Sequence, residues 1–372
     1  MLSGLQRDLM NQGWVYREQV SRRDVGRSLL DYYSQRYPHS SRDEWQSRIA
    51  QGQVLVNGKQ APAGEVLRLG QQLAYHRPPW QEPDVPLEFD ILHEDSDVLV
   101  IAKPSGLPVL PGGGFLQHTL LGQLQQRYPQ DTPTPVHRLG RGTSGLLLLA
   151  RSPSAKSSLS QQMRDQTQQA EILLKSLAGS HSHLRSPIHS HLYSGWHTDD
   201  VRRTGDLGDR SLRKTYLALI GATDLPHRFT ITQPIGKVPH PVLGYVYGAV
   251  HGAVSDSLPA CSEGQVLWRE GDRTLVEITI LTGRPHQIRI HLATVGYPLL
   301  GDPLYAPGGT PRVPQSETGA EREKLPVPGD CGYCLHAHQL TFQHPTRQQP
   351  MTFTVPAPFA LAPMNQIGYL DL

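Results

Sequence analysis

The chain has 372 residues, and its 35 Lys or Arg against 33 Asp or Glu leave a formal charge of only +2. That length suits one large core or two modest ones, and the charge excludes a globally basic surface, so any affinity for a polyanion rests on local patches. The 3 cysteines fit a reducing compartment better than a disulfide framework, and no apolar run or cationic leader points to a membrane or export, so a soluble, cytoplasmic monomer is expected.

Residues 1–20 show no periodicity and read as a surface arm. Leu29, Leu30, Tyr33 and Tyr37 then recur at helical spacing, and Trp45 with Ile49 marks a second helix that Gly52 stops. Val54-Leu55-Val56 followed by Asn57-Gly58 and Lys59 reads as a strand and a hairpin turn, with a closing strand through residues 67–75. This order resembles the small S-four-type RNA-binding module, with most of the likeness in residues 49–59. The first 80 residues hold 11 Lys or Arg against 7 Asp or Glu, so the excess of positive charge lies here. The resemblance implies that Arg42, Arg48 and Lys59 touch phosphates; without it they are charged positions on a solvated helix face.

The Pro-rich stretch 78–86 has no periodicity. It is expected to separate a module at 1–80 from a domain at 91–372, with a linker at 81–90. A buried strand is expected from Val98 to Ala102, ending in Lys103-Pro104-Ser105-Gly106. Next comes Val136-His137-Arg138-Leu139-Gly140-Arg141-Gly142-Thr143-Ser144-Gly145, directly before Leu146-Leu147-Leu148-Leu149. Four leucines without amphipathic spacing read as a short strand buried on both faces. The glycines also spell G-x-G-x-x-G, but a dinucleotide site needs a strand before them and a helix within them. Here Pro133 and Pro135 precede and the strand follows, so no nucleotide cofactor is expected.

A helix is expected over 152–166, followed by an insertion near 167–211. Its histidines, His181, His183, His189, His191 and His197, have no acidic or cysteine partner at regular spacing, so no metal site is assigned. Alternation in 214–221 places Tyr216, Ala218 and Ile220 on one strand face. In 282–293, Pro285 suits a first helical turn and Gly296 a stop, giving a helix of about 11 residues. A second Pro/Gly-rich insertion occupies 306–330. Cys331-Gly332-Tyr333-Cys334 with His336 and His338 invites zinc, but a second Cys pair is lacking and none is assigned.

The segment at 137–145 resembles the signature of the RluA-type RNA pseudouridine synthases, His-Arg-Leu-Asp-x-x-Thr-Ser-Gly before an aliphatic strand. Lys-Pro-x-Gly at 103–106, Lys-x-Tyr-x-Ala at 214–218, Thr-Gly-Arg-x-His-Gln-Ile-Arg around 282–289 and Gly-Asp-Pro-Leu-Tyr at 301–305 extend the likeness. It implies an α+β fold with a mixed, largely antiparallel central sheet, flanking helices and a central RNA-binding cleft. It also implies isomerisation of uridine in rRNA or tRNA, without a cofactor. By the same likeness Arg289 pairs with the catalytic carboxylate, Tyr216 packs on the flipped base, and Arg138 fills the space the base vacates. Arg141, Arg284, His286 and Gln287 would lie along the RNA.

One position departs from the signature: the catalytic Asp is Gly140 here, which supplies neither nucleophile nor base. Either a synthase takes its group from elsewhere, with Asp302 or an insertion residue as candidates, or the chain is an RNA-binding homologue without catalysis. A carboxylate within ion-pair reach of Arg289 is the observation to look for.

Overall fold

In this computed structural model the described residues are 10–180, 196–197, 212–241, 243–252, 256–312 and 326–362. The chain divides into one unit formed by Met1–Pro83 with Pro241–Gly244 and a second formed by the remainder.

The first unit contains β1 (Trp14–Gln19), α1 (Leu29–Arg36), α2 (Arg42–Ala50), β2 (Val54–Val56), β3 (Lys59–Gln60) and β4 (Gln72–Arg77). Ser28 and Ser41 open the two helices, each hydroxyl accepting a backbone N–H three residues on, and Glu44 completes a capping box on Ser41. Trp45, Ile49, Tyr33 and Leu29 bury against Val54 and Leu73. Asn57 and Gly58 both take positive φ, 50° and 78°, as the tight turn between β2 and β3 requires. Two expectations are corrected. The first twenty residues are not merely an arm, because β1 pairs antiparallel with β4 from Trp14↔Arg77 to Gln19↔Gln72. Its Trp14 and Tyr16 stay largely exposed, so this edge strand leaves no alternating apolar pattern to read. The closing strand also starts later than expected, at Gln72, after a turn through Gly70 at φ 82°.

The second unit is built on an 11-stranded sheet. Its strands are β5 (Asp90–Glu94), β6 (Val98–Lys103), β7 (Thr134–Pro135), β8 (Ser144–Ala150), β9 (Trp196–His197), β10 (Arg213–Gly221), β11 (Arg228–Ile231), β14 (Ser262–Glu270), β15 (Arg273–Ile280), β16 (Leu335–Gln343) and β17 (Pro350–Thr354). A separate hairpin pairs β12 (Ile235–His240) with β13 (Gly244–Ala249). The helices are α3 (Leu120–Arg127), α4 (Pro153–Ser180) and α5 (Gln287–Thr294). The order is β5-β6-β8-β16-β10-β15-β14-β11-β9, with β17 on β16 and β7 on β8. This is the mixed, largely antiparallel central sheet of an α+β fold, as expected. Leu146 to Leu149 are buried to 1% exposure or less, on both faces.

One pairing positions the site. β8 and β16 run parallel, His336 opposite Ser144 and Ala337 opposite Gly145. Their leading segments, 136–143 and 331–334, therefore emerge side by side at one end of the sheet. Gly145, at φ 101°, permits this, since a Cβ there would stand 2.2 Å from the Ala337 carbonyl oxygen.

Two helix boundaries differ from expectation. α4 continues beyond 166 to Ser180, because Ala170 and Leu174 find apolar partners in Cys261 and Leu281. α5 begins at Gln287 and spans 8 residues, because His286 adopts a left-handed φ of 54° and leaves Pro285 outside the helix. Of the insertion's histidines only His197 is described, with Trp196 in a short strand on β11; the other four lie outside the described residues.

Candidate active site

The loop before β8 is fixed from beneath by Lys103 and its neighbours. Buried Lys103 donates its ammonium to the carbonyls of Pro104 (2.7 Å), Leu107 (2.8 Å) and Arg141 (3.2 Å). Ser105 Oγ donates to the Gly142 carbonyl at 2.8 Å, and the Gly106 N–H to that of Arg141 at 2.8 Å. The Lys-Pro-x-Gly element is thus a clamp that sets the path of 140–143.

Above that loop lies a cavity of about 330 Å³, in the range of a small-ligand site. It is walled by the loop (His137, Arg138, Gly140, Thr143), the start of β10 (Lys214, Tyr216), the turn into α5 (Arg284, His286, Arg289) and Tyr333 ahead of β16. Four of these side chains are cationic, and among the described residues no Asp or Glu lines it. Burial pushes the Lys214 ammonium down to about 8 and raises the Tyr216 phenol above its ordinary range. Burial also lowers His137 to about 3, helped by Lys214 and Lys156, and His137 Nε2 accepts the Leu148 N–H at 3.2 Å. His286 is likewise held down to about 3 by burial and Arg289. The Tyr305 hydroxyl donates to the Tyr247 carbonyl, so His286 Nδ1 donates to that hydroxyl at 2.8 Å, and its Nε2 keeps a lone pair.

The carboxylate sought beside Arg289 is Asp302. Its two oxygens accept Arg289 Nε and Nη2, each at 2.7 Å, and Oδ1 also accepts the N–H groups of Leu304 and Tyr305. Its side chain is 0% exposed and does not line the cavity. Asp302 therefore holds the guanidinium from behind, and the reading of it as the substitute catalytic acid is corrected; of the other candidates, the insertion acids at 199–209 and 317–323 lie outside the described residues. Arg289 lies over the Tyr333 ring at 4.2 Å and over the Tyr305 ring at 5.0 Å. Arg289 lines the cavity, and its buried Nη1 has no hydrogen-bond partner among the described residues.

The other expected residues are distributed unevenly. Arg138 is exposed at the cavity rim. Arg284 lines the cavity, paired with Glu171 of α4 and donating to the Pro259 carbonyl. Gln287 is 3% exposed and its amide is fully engaged. It accepts Thr282 Oγ1 and the Arg284 N–H, and donates to Cys261 O and Ser262 Oγ. Arg141 is not brought to the cavity; it donates to Cys331 Sγ at 2.9 Å and lies over Phe115. In the first unit Arg42 pairs with Asp31, Arg48 stacks on Trp45 at 4.6 Å, and Lys59 is exposed on β3. All three cysteines are free thiols.

Two residues escaped the sequence reading as site residues. Lys214 was visible only as part of a strand motif. Tyr333 stood inside C-x-x-C, where attention falls on the sulfurs. Its relevance depends on the parallel β8–β16 pairing, and that is not written in local pattern.

Comparison with known proteins agrees with this architecture. The sequence pattern of the RNA pseudouridylate synthase family matches residues 97–173 and 201–294. An uncharacterized RNA pseudouridine synthase of Synechocystis sp. is 45% identical over 330 residues, 89% of this chain and 94% of its own. RNA pseudouridine synthase 5 of Oryza sativa subsp. japonica is 39% identical, covering 94% of this chain and 88% of its own. Ribosomal large subunit pseudouridine synthase D of Neisseria meningitidis serogroup B is 29% identical, over 86% and 73% respectively. On this likeness along nearly its whole length, the chain belongs to the RluA-type family of RNA pseudouridine synthases, isomerases that convert uridine to pseudouridine within RNA.

Proposed function

We propose that the cavity receives a single uridine everted from structured RNA and isomerises it to pseudouridine. The observation that carries this is a nucleoside-sized, cation-rich cavity lined by Arg289, whose buried Nη1 has no partner among the described residues. Eversion costs a few kcal/mol, and Arg138 at the rim is suited to occupy the vacated stack. Tyr216 forms the apolar bed of the base, and Arg284 and His286 face the substrate strand, while Gln287 holds the turn that presents them. Arg289 acts from the site, and Gly140 stands where the family signature has its Asp.

The first unit, with its two helices, hairpin and exposed Lys59, resembles an S-four-type module and is read as a second RNA contact through Arg42, Arg48 and Lys59. Ribosomal RNA is the first substrate to examine, since one relative is named for the large subunit; tRNA is the second. The protein is read as a monomer in the cytoplasm, which its three free thiols suit.

A lining without a carboxylate among the described residues also favours a second reading, an RNA binder without turnover. Nucleoside mapping of rRNA and tRNA from cells with and without the gene separates the two. A uridine modified only when the protein is present supports the synthase, and unchanged modification with retained RNA binding supports the binder.

A further inference from the structure

Among the described residues the cavity lacks a carboxylate, yet the space beside Gly140 is not empty. A Cβ built on Gly140 would stand 2.4 Å from the Tyr333 hydroxyl oxygen. From ordinary bond lengths, an aspartate's own carboxylate oxygens lie about 2.4 Å from its Cβ. The phenol oxygen thus sits at the distance such an oxygen would have, although it arrives from the segment before β16.

Several features hold it there. The Tyr333 hydroxyl shares a 3.2 Å hydrogen bond with Thr143 Oγ1, and its ring lies beneath the Arg289 guanidinium at 4.2 Å. Gly142 clears space for the ring, since a Cβ there would meet Tyr333 Cε1 at 2.9 Å. On the other side Gly301, at φ 73°, lets the backbone of Gly332 approach, because a Cβ there would be 2.1 Å from the Gly332 carbonyl oxygen. Three glycines therefore seat one tyrosine, and glycine at 140 is one of them.

We infer that Tyr333 is the catalytic group of this synthase, its hydroxyl taking the place of the missing aspartate; the inference rests on the synthase reading above. Tyrosine is a known type of nucleophile at an anomeric carbon. The phenol oxygen bonds to ribose C1′ as the C1′–N1 bond breaks, its electron pair leaving with uracil N1, and the phenol proton follows to that nitrogen. After the base turns, C5 bonds to C1′ and the C1′–O bond breaks, returning its pair to the phenolate. The hydrogen on C5 then passes to the phenolate, which restores the uracil ring and the phenol with every atom accounted for. Burial raises the Tyr333 phenol, with Arg289 and Thr143 pulling the other way, so the hydroxyl carries the proton that the departing nitrogen takes up.

The test measures pseudouridine formation on the mapped RNA, with RNA affinity and thermal midpoint recorded for each variant of the full chain. Tyr333→Phe is expected to lose about 10³-fold or more in turnover while binding RNA normally. Gly140→Asp with Tyr333→Leu returns an acid to the loop and vacates its space, and is expected to regain turnover well above Tyr333→Phe. Gly140→Ala with Tyr333→Leu should stay inactive, which a purely structural tyrosine would not explain together with the rescue. If Tyr333→Phe turns over like the parent, the inference is overturned and the synthase reading stands. If the parent modifies no uridine, both fall.

Discussion

Arg289 and Asp302 close on each other through two 2.7 Å hydrogen bonds, with 3% and 0% of their side chains exposed. A guanidinium so held is fixed in direction before any ligand arrives, which is what a site that stabilises charge requires. Because the pair is buried, removing one partner leaves the other uncompensated. Asp302→Asn is therefore expected to destabilise the fold by about 3–5 kcal/mol, read from denaturant unfolding. Lost turnover at undiminished stability would instead make Asp302 a catalytic acid, against its placement here.

Restoring the family's aspartate alone should fail. The new side chain at 140 would collide with the Tyr333 hydroxyl, and a tyrosine ring wedged between Gly142 and Arg289 has little room to retreat. Gly140→Asp is expected to cost about 1–3 kcal/mol as an overpacked substitution and to gain no turnover. A rise in pseudouridine formation with this single change would show that Tyr333 yields, and that the space was never its own.

Much of the fold was legible because its signals are local. The Leu146–Leu149 run states a doubly buried strand, and Asn57-Gly58 states a hairpin. The site was legible only by resemblance, and where resemblance failed, at Gly140, the substitute read from the sequence, Asp302, turned out to hold Arg289. Tyr333 lies 193 positions further along the chain, and it reaches residue 140 only through the parallel register of β8 and β16. The helix start at 287 was misread for a related reason. Pro285 favours a helical turn locally, but the left-handed His286, whose Nδ1 is bonded to Tyr305, overrides it.

Lys103 gives a separate prediction about the loop. Its ammonium satisfies three carbonyls that have been taken out of water, so Lys103→Met leaves them without that donor. Unmade buried hydrogen bonds cost about 1–3 kcal/mol each, and an overall loss on the order of 3 kcal/mol is expected. Hydrogen exchange should rise at Gly106, whose N–H bonds the Arg141 carbonyl. Unchanged protection there would mean that the clamp does not govern the loop.

Acid should weaken the fold through histidines kept neutral inside it. His291 is 0% exposed and held down to about 4 by burial, and His137 to about 3 by burial, Lys214 and Lys156. Both folded values lie below the ordinary histidine value of about 6.5. Between them the unfolded chain binds protons that the folded chain refuses, so stability rises with pH across this window. The contribution is complete above about pH 6.5 and is lost as pH falls toward 4 and then 3. His137→Gln keeps an acceptor for the Leu148 N–H but cannot take up a proton. Its urea midpoint should fall less steeply than the parent's between pH 6 and 4, a difference on the order of 2 kcal/mol in unfolding free energy. Parallel curves for the two proteins would place the His137 proton equilibrium near its ordinary value and leave the acid limb to other groups.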